Sequence, residues 1–423
     1  MKRVLVYSHD TYGLGNIRRM LAVTEHLLAR DPQLSVLLVT GSPVAHAFRL
    51  PPGLDYIKMP CLTRTDRERY AVKYLGTDLD ATIALRSAML LETVRHFEPD
   101  LFLVDKKPGG IRNELRPALE YLRQHAPATR NVLVLRDILD SPDITRRTWE
   151  REGYHPTIQA FYDSVLVLGA PQVFDTAHEY AFPPAVREKV CYGGYVRRPH
   201  GRKTRAEVRQ SLGLRDEQPL VLVTAGGGED GFQVLDTYVA ALRETSAETQ
   251  AHSLVLTGPE LPANQRASLS AATAGVPNVT LVDFLDDMMG YMGASDVIVS
   301  MGGYNTVCEI LSAERPAVVV PRVRPVEEQW IRAQRMARLG LFETIHPDQL
   351  TPATFTQAVA RQLRAGQAQS PVEQTLDPSS LFRTGEWLTA LLEDRPPSSP
   401  ARAMPRPVPP VRRRGVQRAS SWL

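Results

Sequence analysis

The residues most able to do chemistry stand at the ends of short apolar runs. In VIVSMGGYNTVCEIL (297–311) such a run breaks at Gly302-Gly303 and a helical pattern follows. The exposed amides and dipole of that helix start favour an anion, a phosphate above all. Glu309 lies one to two turns into the same helix, where a carboxylate can accept hydrogen bonds from both hydroxyls of a ribose. An exposed helix glutamate is the ordinary alternative. Upstream, LVLVT runs into Ala225-Gly226-Gly227-Gly228-Glu229-Asp230-Gly231. Glycines there let backbone amides approach a diphosphate, although the run reads equally as a flexible turn. No lysine follows, so it is not a P-loop. Beyond AVVVP come Arg322, Glu327, Glu328 and Gln329, polar groups placed to grip sugar hydroxyls.

Gly13-Leu14-Gly15 follows the first apolar run and has the superficial form of a dinucleotide turn. The third glycine is missing, and the run SVLLVT ends in Gly41-Ser42-Pro43 with no acid to hold an adenosine ribose, so a nicotinamide cofactor is not expected. Arg18 and Arg19 fall in a helix first turn, where positive charge opposes the dipole. That placement hints at an anionic ligand, against the ordinary reading of solvated arginines. Asp78-Leu79-Asp80 has the D-x-D form of a metal-binding pair, but acids opening a helix need no metal, and no metal site is assigned.

The elements that must position these residues alternate regularly. The runs VLVYS (4–8), SVLLVT (35–40), LFLVD (101–105), NVLVLRD (131–137) and SVLVLG (164–169) read as buried parallel strands. Between them stand the amphipathic stretches 17–30, 81–97 and 114–126. After the basic connector RRPHGRK, Thr204 and Glu207 form a capping box. The alternation then restarts with LVLVTAG (220–226), HSLVLTG (252–258), VTLVDF (279–284), DVIVS (296–300) and AVVVP (317–321). The expected fold is α/β, two Rossmann-like domains facing each other across a cleft. The expected division is an N-terminal domain over 1–196, a connector and first helix over 197–215, a ligand-binding domain over 216–365, C-terminal helices over 366–395 and a tail over 396–423.

With 43% hydrophobic and 23% charged residues among 423, the composition is that of a globular protein. Residues 395–423 hold seven arginines and no acid, which more than accounts for the net charge of +3, so residues 1–394 are mildly acidic. That Pro-, Ser- and Arg-rich tail cannot offset its ordering entropy by burial and is expected to be disordered. No aromatic-basic interleaving or nucleic-acid module accompanies it, so nucleic acid is not an expected partner. Cys61, Cys191 and Cys308 match no metal or disulfide spacing. Met1-Lys2-Arg3 leads into VLVY, too brief for a signal core, and no later stretch approaches a membrane span. A cytoplasmic protein is expected.

The segments SMGGYNTVCEIL, AVVVP and EEQWIRAQRMARLG resemble the C-terminal domain of glycosyltransferase family 28, within the glycosyltransferase B-type fold. YSHDTYGLGNIRR (7–19), VDKKPGG (104–110), LRDILDSP (135–142), GGYV (193–196) and TAGGGEDG (224–231) are similar to a less characterised bacterial branch of that fold, so the resemblance covers nearly residues 1–395. It implies that Gly302, Gly303, Asn305 and Thr306 bracket the diphosphate of a uridine diphosphate sugar, with Glu309 on the ribose. It further implies that Phe284 and Leu285 of the DFL segment (283–285) face the base, and that Glu328 and Gln329 contact the donor sugar. Transfer of a hexose or N-acetylhexosamine would be inverting, without metal or cofactor.

Such a transfer wants a general base near the acceptor hydroxyl. His9 and Asp10 end the first strand, and Asp105 and Asp137 end two others. His9 is the preferred base. The family pattern is expected to carry Gly-His where this chain has Gly15-Asn16, and Asn16 cannot act as a base. That departure motivates the alternative of a nucleotide-sugar-binding regulatory protein without catalysis, and a sugar-nucleotide 2-epimerase is the nearest enzymatic alternative. The loop of Gly13, Gly15, Asn16 and Arg18 would hold the acceptor or a phosphate. The acceptor itself has no motif; a lipid, a polysaccharide or a small molecule all fit, with peripheral contact at the inner membrane face for a lipid.

Overall fold

A computed structural model describes residues 1–9, 15–64, 69–215, 217–227, 230–245, 251–366, 375–377 and 380–393. The expectations for Asp10, Gly13, Gly228 and the tail 396–423 lie outside the described residues.

Two parallel sheets organise the chain. In the first half the strands are β1 (Arg3–Ser8), β2 (Ser35–Thr40), β3 (Leu54–Lys58), an antiparallel hairpin of β4 (Leu62–Arg64) and β5 (Tyr70–Val72), then β6 (Leu101–Asp105), β7 (Arg130–Arg136), β8 (Ser164–Leu168) and β9 (Val190–Tyr192). The sheet order is β3-β2-β1-β6-β7-β8-β9. The second half contributes β10 (Leu220–Thr224), β11 (His252–Leu256), β12 (Val279–Val282), β13 (Val297–Ser300), β14 (Ala317–Val319) and β15 (Glu343–Thr344), ordered β12-β11-β10-β13-β14-β15. In each sheet the order reverses beside a central strand, β1 or β10, which opens a crevice at the strand C-terminal ends.

The apolar runs are continuous because helices cover both sheet faces. Every residue of β6 and of β10 is buried. Successive residues serve opposite cores: Val4 and Val6 join one cluster, Leu5 and Tyr7 another. In β10, Leu220 and Leu222 enter the cluster that holds Val4, whereas Val221 and Val223 enter a third. One core is thus shared by the two halves. Each fully buried Leu or Val contributes roughly 1.5–3 kcal/mol.

All ten expected strands form. β3, β9, β15 and the β4–β5 hairpin were not expected: LDYIK mixes charge into an edge strand, and the others are only two or three residues long. Helices form over Gly15–Arg30, Leu79–Phe97 and Arg116–His125. The last starts later than the pattern 114–126 suggested, because Glu114 turns inward to a buried ion pair with Arg86 at 2.6 Å. Asp78 of the D-x-D pair caps its helix, accepting from the Ala81 amide at 2.8 Å. The Thr204–Glu207 capping box opens the helix Arg205–Ser211. A final helix, Ser380–Leu392, returns to the first half, where Thr384 Oγ1 donates to the Gly193 carbonyl at 3.0 Å.

Candidate functional site

The second half presents its helix Tyr304–Ala313 as expected from the sequence. Gly303 is the residue before its first turn, with no side chain capping the free amides. Gly302 is a packing requirement, since a Cβ there would press on Pro321 and Gln329 at 3.2–3.3 Å. Gly303 faces open space, its nearest atom for a Cβ being Thr306 Oγ1 at 3.9 Å. Thr306 Oγ1 is also the nearest atom to a Cβ on Gly226, at 3.6 Å. The glycine loop after β10 and the helix start after β13 therefore flank one threonine. The loop is held by tight packing: a Cβ on Gly258 would meet the Gly226 and Gly227 carbonyl oxygens at 2.7 and 2.6 Å.

Across the cleft stands the start of the helix Gly15–Arg30. Asn305 Nδ2 donates to the Gly15 carbonyl at 3.1 Å, and Arg18 pairs with the buried carboxylate of Glu309 at 2.7 Å. Asn16 bridges locally, its Nδ2 donating to the His9 carbonyl and its Oδ1 accepting from Arg19 at 3.0 Å. Gly15, Asn16, Arg18, Asn305, Thr306, Glu309, Gly226 and Gly303 thus meet at one place. Phe284 stands 70% exposed on the loop after β12, an apolar ring largely open to solvent. Leu285 packs partly buried against the shared core.

The candidate bases differ sharply in surroundings. Asp105 is fully buried, pairing with Arg19 at 2.5 Å and accepting from the His9 amide at 3.3 Å. Asp137 is fully buried too. Arg332 binds both of its oxygens, at 2.7 and 2.8 Å, and Tyr195 adds a hydrogen bond at 2.9 Å. His9 is 1% exposed, and its Nδ1 finds no hydrogen-bond partner among the described residues. Burial, then the cations Lys106, Lys107, Arg86 and Arg64, hold its imidazole well below the ordinary histidine value, so it is neutral near pH 7.

Glu328 and Gln329 open the helix Glu328–Arg338, and both are buried. Glu328 accepts from Arg332 at 2.8 Å, and Gln329 accepts from the Arg322 amide at 3.0 Å. Burial alone would raise the Glu328 carboxyl, but Arg136, Arg332 and Arg322 hold it below the usual glutamate value. Arg332, which the sequence did not single out, also donates to the Gly302 carbonyl at 2.9 Å and is completely buried. It fastens β7 of the first half to the loop after β13 of the second. Its partner Asp137 lies 195 residues away, so no local spacing signals the pair.

Two facing Rossmann-like halves with an uncapped helix start and a glycine loop in the cleft define the glycosyltransferase B-type fold. Residues 220–379 match the model of the glycosyltransferase family 28 C-terminal domain. The chain is similar to an uncharacterised glycosyltransferase of Methanopyrus kandleri, 25% identical over 47% of this chain and 52% of the relative. It is similar also to the UDP-N-acetylglucosamine–N-acetylmuramyl-(pentapeptide) pyrophosphoryl-undecaprenol N-acetylglucosamine transferase of Clostridioides difficile, 24% identical over 45% of this chain and 46% of that one. The chain spans about half the length of these curated relatives. Among solved structures, MurG of Acinetobacter baumannii superposes with a TM-score of 0.58 at 16% identity, covering 92% of this chain and 99% of that one. Among the described residues no helix is long and apolar enough to cross a membrane.

Proposed function

We propose that this chain transfers a hexose or N-acetylhexosamine from a uridine diphosphate sugar to an acceptor hydroxyl, with inversion and without a metal. The observation that carries the reading is the uncapped start of the helix Tyr304–Ala313, flanked by Gly226 and facing Gly15. Free amides and the positive helix end suit a diphosphate. Glu309 stands on the same helix to take the ribose, and exposed Phe284 is available to the base. The family match over residues 220–379, which include Gly226, Phe284 and Glu309, supports this reading.

In the transfer, the acceptor oxygen attacks the anomeric carbon while the bond from that carbon to the diphosphate breaks. The diphosphate leaves with the bonding pair, and the helix start stabilises its charge. The hydroxyl proton goes to His9. What favours His9 over Asp105 and Asp137 is its neutral imidazole with an unpartnered nitrogen, whereas both aspartates are committed to arginines. Asn16, the residue that motivated a non-catalytic reading, positions Arg19 and the His9 backbone.

Calorimetric titration with uridine, guanosine and adenosine diphosphates, followed by assay of diphosphate release from the matched sugar nucleotide, tests the reading. Selective uridine diphosphate binding with acceptor-dependent release is the expected result. Binding without release under any acceptor mixture would favour the regulatory reading, and no nucleotide binding would sink both.

A further inference from the structure

The turn that opens the helix Tyr304–Ala313 is gripped from the opposite half of the molecule. Arg332 lies behind Gly302-Gly303 with its side chain completely buried. Its Nη1 donates to the Gly302 carbonyl at 2.9 Å and to Glu328 at 2.8 Å, while Nε and Nη2 donate to the two oxygens of Asp137 at 2.7 and 2.8 Å. Asp137 is itself tightly placed at the end of β7. Its Oδ1 also accepts from the Ile138 amide at 2.7 Å, its Oδ2 from Tyr195 at 2.9 Å and its carbonyl from Thr176 at 2.9 Å. Beside it Gly169 leaves no room to shift, since a Cβ there would meet Asp137 Cβ at 2.5 Å. A two-point pair between fully buried groups holds the guanidinium in one plane, with no water to compete.

That plane decides which way the next amide faces. The peptide between Gly302 and Gly303 is trans, so its carbonyl and its N–H point in opposite directions. Drawing the Gly302 oxygen inward to Arg332 therefore turns the Gly303 amide away from the guanidinium, at a residue where a Cβ would find nothing nearer than Thr306 Oγ1 at 3.9 Å. This amide and those of the first helical turn are the donors that a phosphate can use. Tyr304, the first residue of the helix, is fixed from the same side. The Arg332 and Arg19 guanidinium carbons lie 5.7 and 5.8 Å from its ring centroid, and the Tyr195 ring lies 6.1 Å away. Asp137, Arg19 and Tyr195 all belong to the first half, so the start of a second-half helix takes its orientation from residues across the cleft.

We propose that Arg332 and Asp137 are positioning residues for the donor diphosphate: the carboxylate of the first half holds the guanidinium, and the guanidinium holds the Gly302-Gly303 peptide with its amide toward the phosphate. The inference rests on the reading in which this helix start takes the diphosphate of a uridine diphosphate sugar. It gives Asp137, a strand-end carboxylate first considered as a base, a role at the donor instead of the acceptor. It also makes diphosphate affinity a property of the docked halves, because the residue that aims the phosphate donor is anchored on the other side of the cleft.

The test compares, on the full chain, the affinities of uridine diphosphate by calorimetry and of uridine, which lacks the phosphates, by saturation-transfer NMR. Asp137→Asn removes the charge that clamps Arg332. Arg332→Met/Asp137→Leu removes both buried charges, so that neither is stranded. In each variant uridine diphosphate should bind about tenfold more weakly or worse, the worth of a hydrogen bond to a charged group, while uridine affinity stays within about twofold of the parent's. Urea unfolding accompanies each measurement. The double variant separates aim from stability, because it should regain cooperative unfolding near the parent midpoint without regaining diphosphate affinity; it also decides alone should Asp137→Asn not fold. An unchanged ratio of the two affinities in the double variant, whether both hold or both fall together, overturns the inference. Failure of the parent chain to bind uridine diphosphate overturns the donor-site reading itself, and the inference with it.

Discussion

Arg18 and Glu309 stand 291 residues apart in the chain and meet at 2.7 Å across the cleft. The carboxylate is buried and the guanidinium is 42% exposed, so the pair lies at the mouth of the proposed ribose site. A ribose taking Glu309 replaces a solvent-accessible partner, which is a modest cost.

Glu309→Ala should therefore weaken uridine diphosphate binding by about 1.5–3 kcal/mol, the worth of hydrogen bonds to a charged group. Arg18→Ala should leave the unfolding free energy within about 1 kcal/mol of the parent's. Calorimetry and equilibrium unfolding read the two effects separately. Unchanged affinity in Glu309→Ala would remove Glu309 from the site.

Arg332→Met strands Asp137 in the interior with only the Tyr195 hydroxyl and the Ile138 amide to answer it among the described residues. Loss of one partner of a buried pair costs about 3–5 kcal/mol, and the double variant Arg332→Met/Asp137→Leu should recover much of that loss. Chemical denaturation of the single and double variants measures it. Equal instability of both would mean that the pair's value lies in shape rather than charge.

Gly258→Ala lies outside the proposed contacts, yet its new Cβ would run into the Gly226 and Gly227 carbonyls, and its φ of +84 disfavours any side chain. Displacement of the glycine loop should weaken uridine diphosphate binding at least tenfold in a protein that still unfolds cooperatively. Undiminished binding would show that the loop does not touch the diphosphate.

Acid should destabilise the fold from about pH 6.5 downward. Burial lowers His9, His26, His155 and His252 below the ordinary histidine value. The unfolded chain thus binds more protons below that pH, and stability rises with pH through the window. Urea midpoints at pH 7.5 and 5.5 check the sign, and His9→Asn should shrink the difference.

The sequence made legible what repeats locally. Runs such as LFLVD announce a strand because both sheet faces bury them, and Gly302-Gly303 announces a helix start because a strand cannot continue through it. The glycine loop and His9 are candidates by their place at those ends, and Glu309 by its place on the helix that follows one. Pairings between distant segments left no trace: Arg332 sits in an ordinary amphipathic pattern until Asp137 arrives from β7. β3 was masked for the opposite reason, its exposed Asp55 breaking an apolar run that an edge strand does not need.

The closing helix Ser380–Leu392 reaches the first half at close quarters: a Cβ on Gly385 would come within 2.6 Å of the His26 ring and 2.9 Å of Arg30 Cδ. The first half is thus finished by residues from the far end of the chain. A polypeptide severed in the connector at 197–203 yields one fragment missing its clasp and another carrying it. Such fragments are suited to complementation in trans, reassembling with a concentration dependence that a single continuous chain does not have.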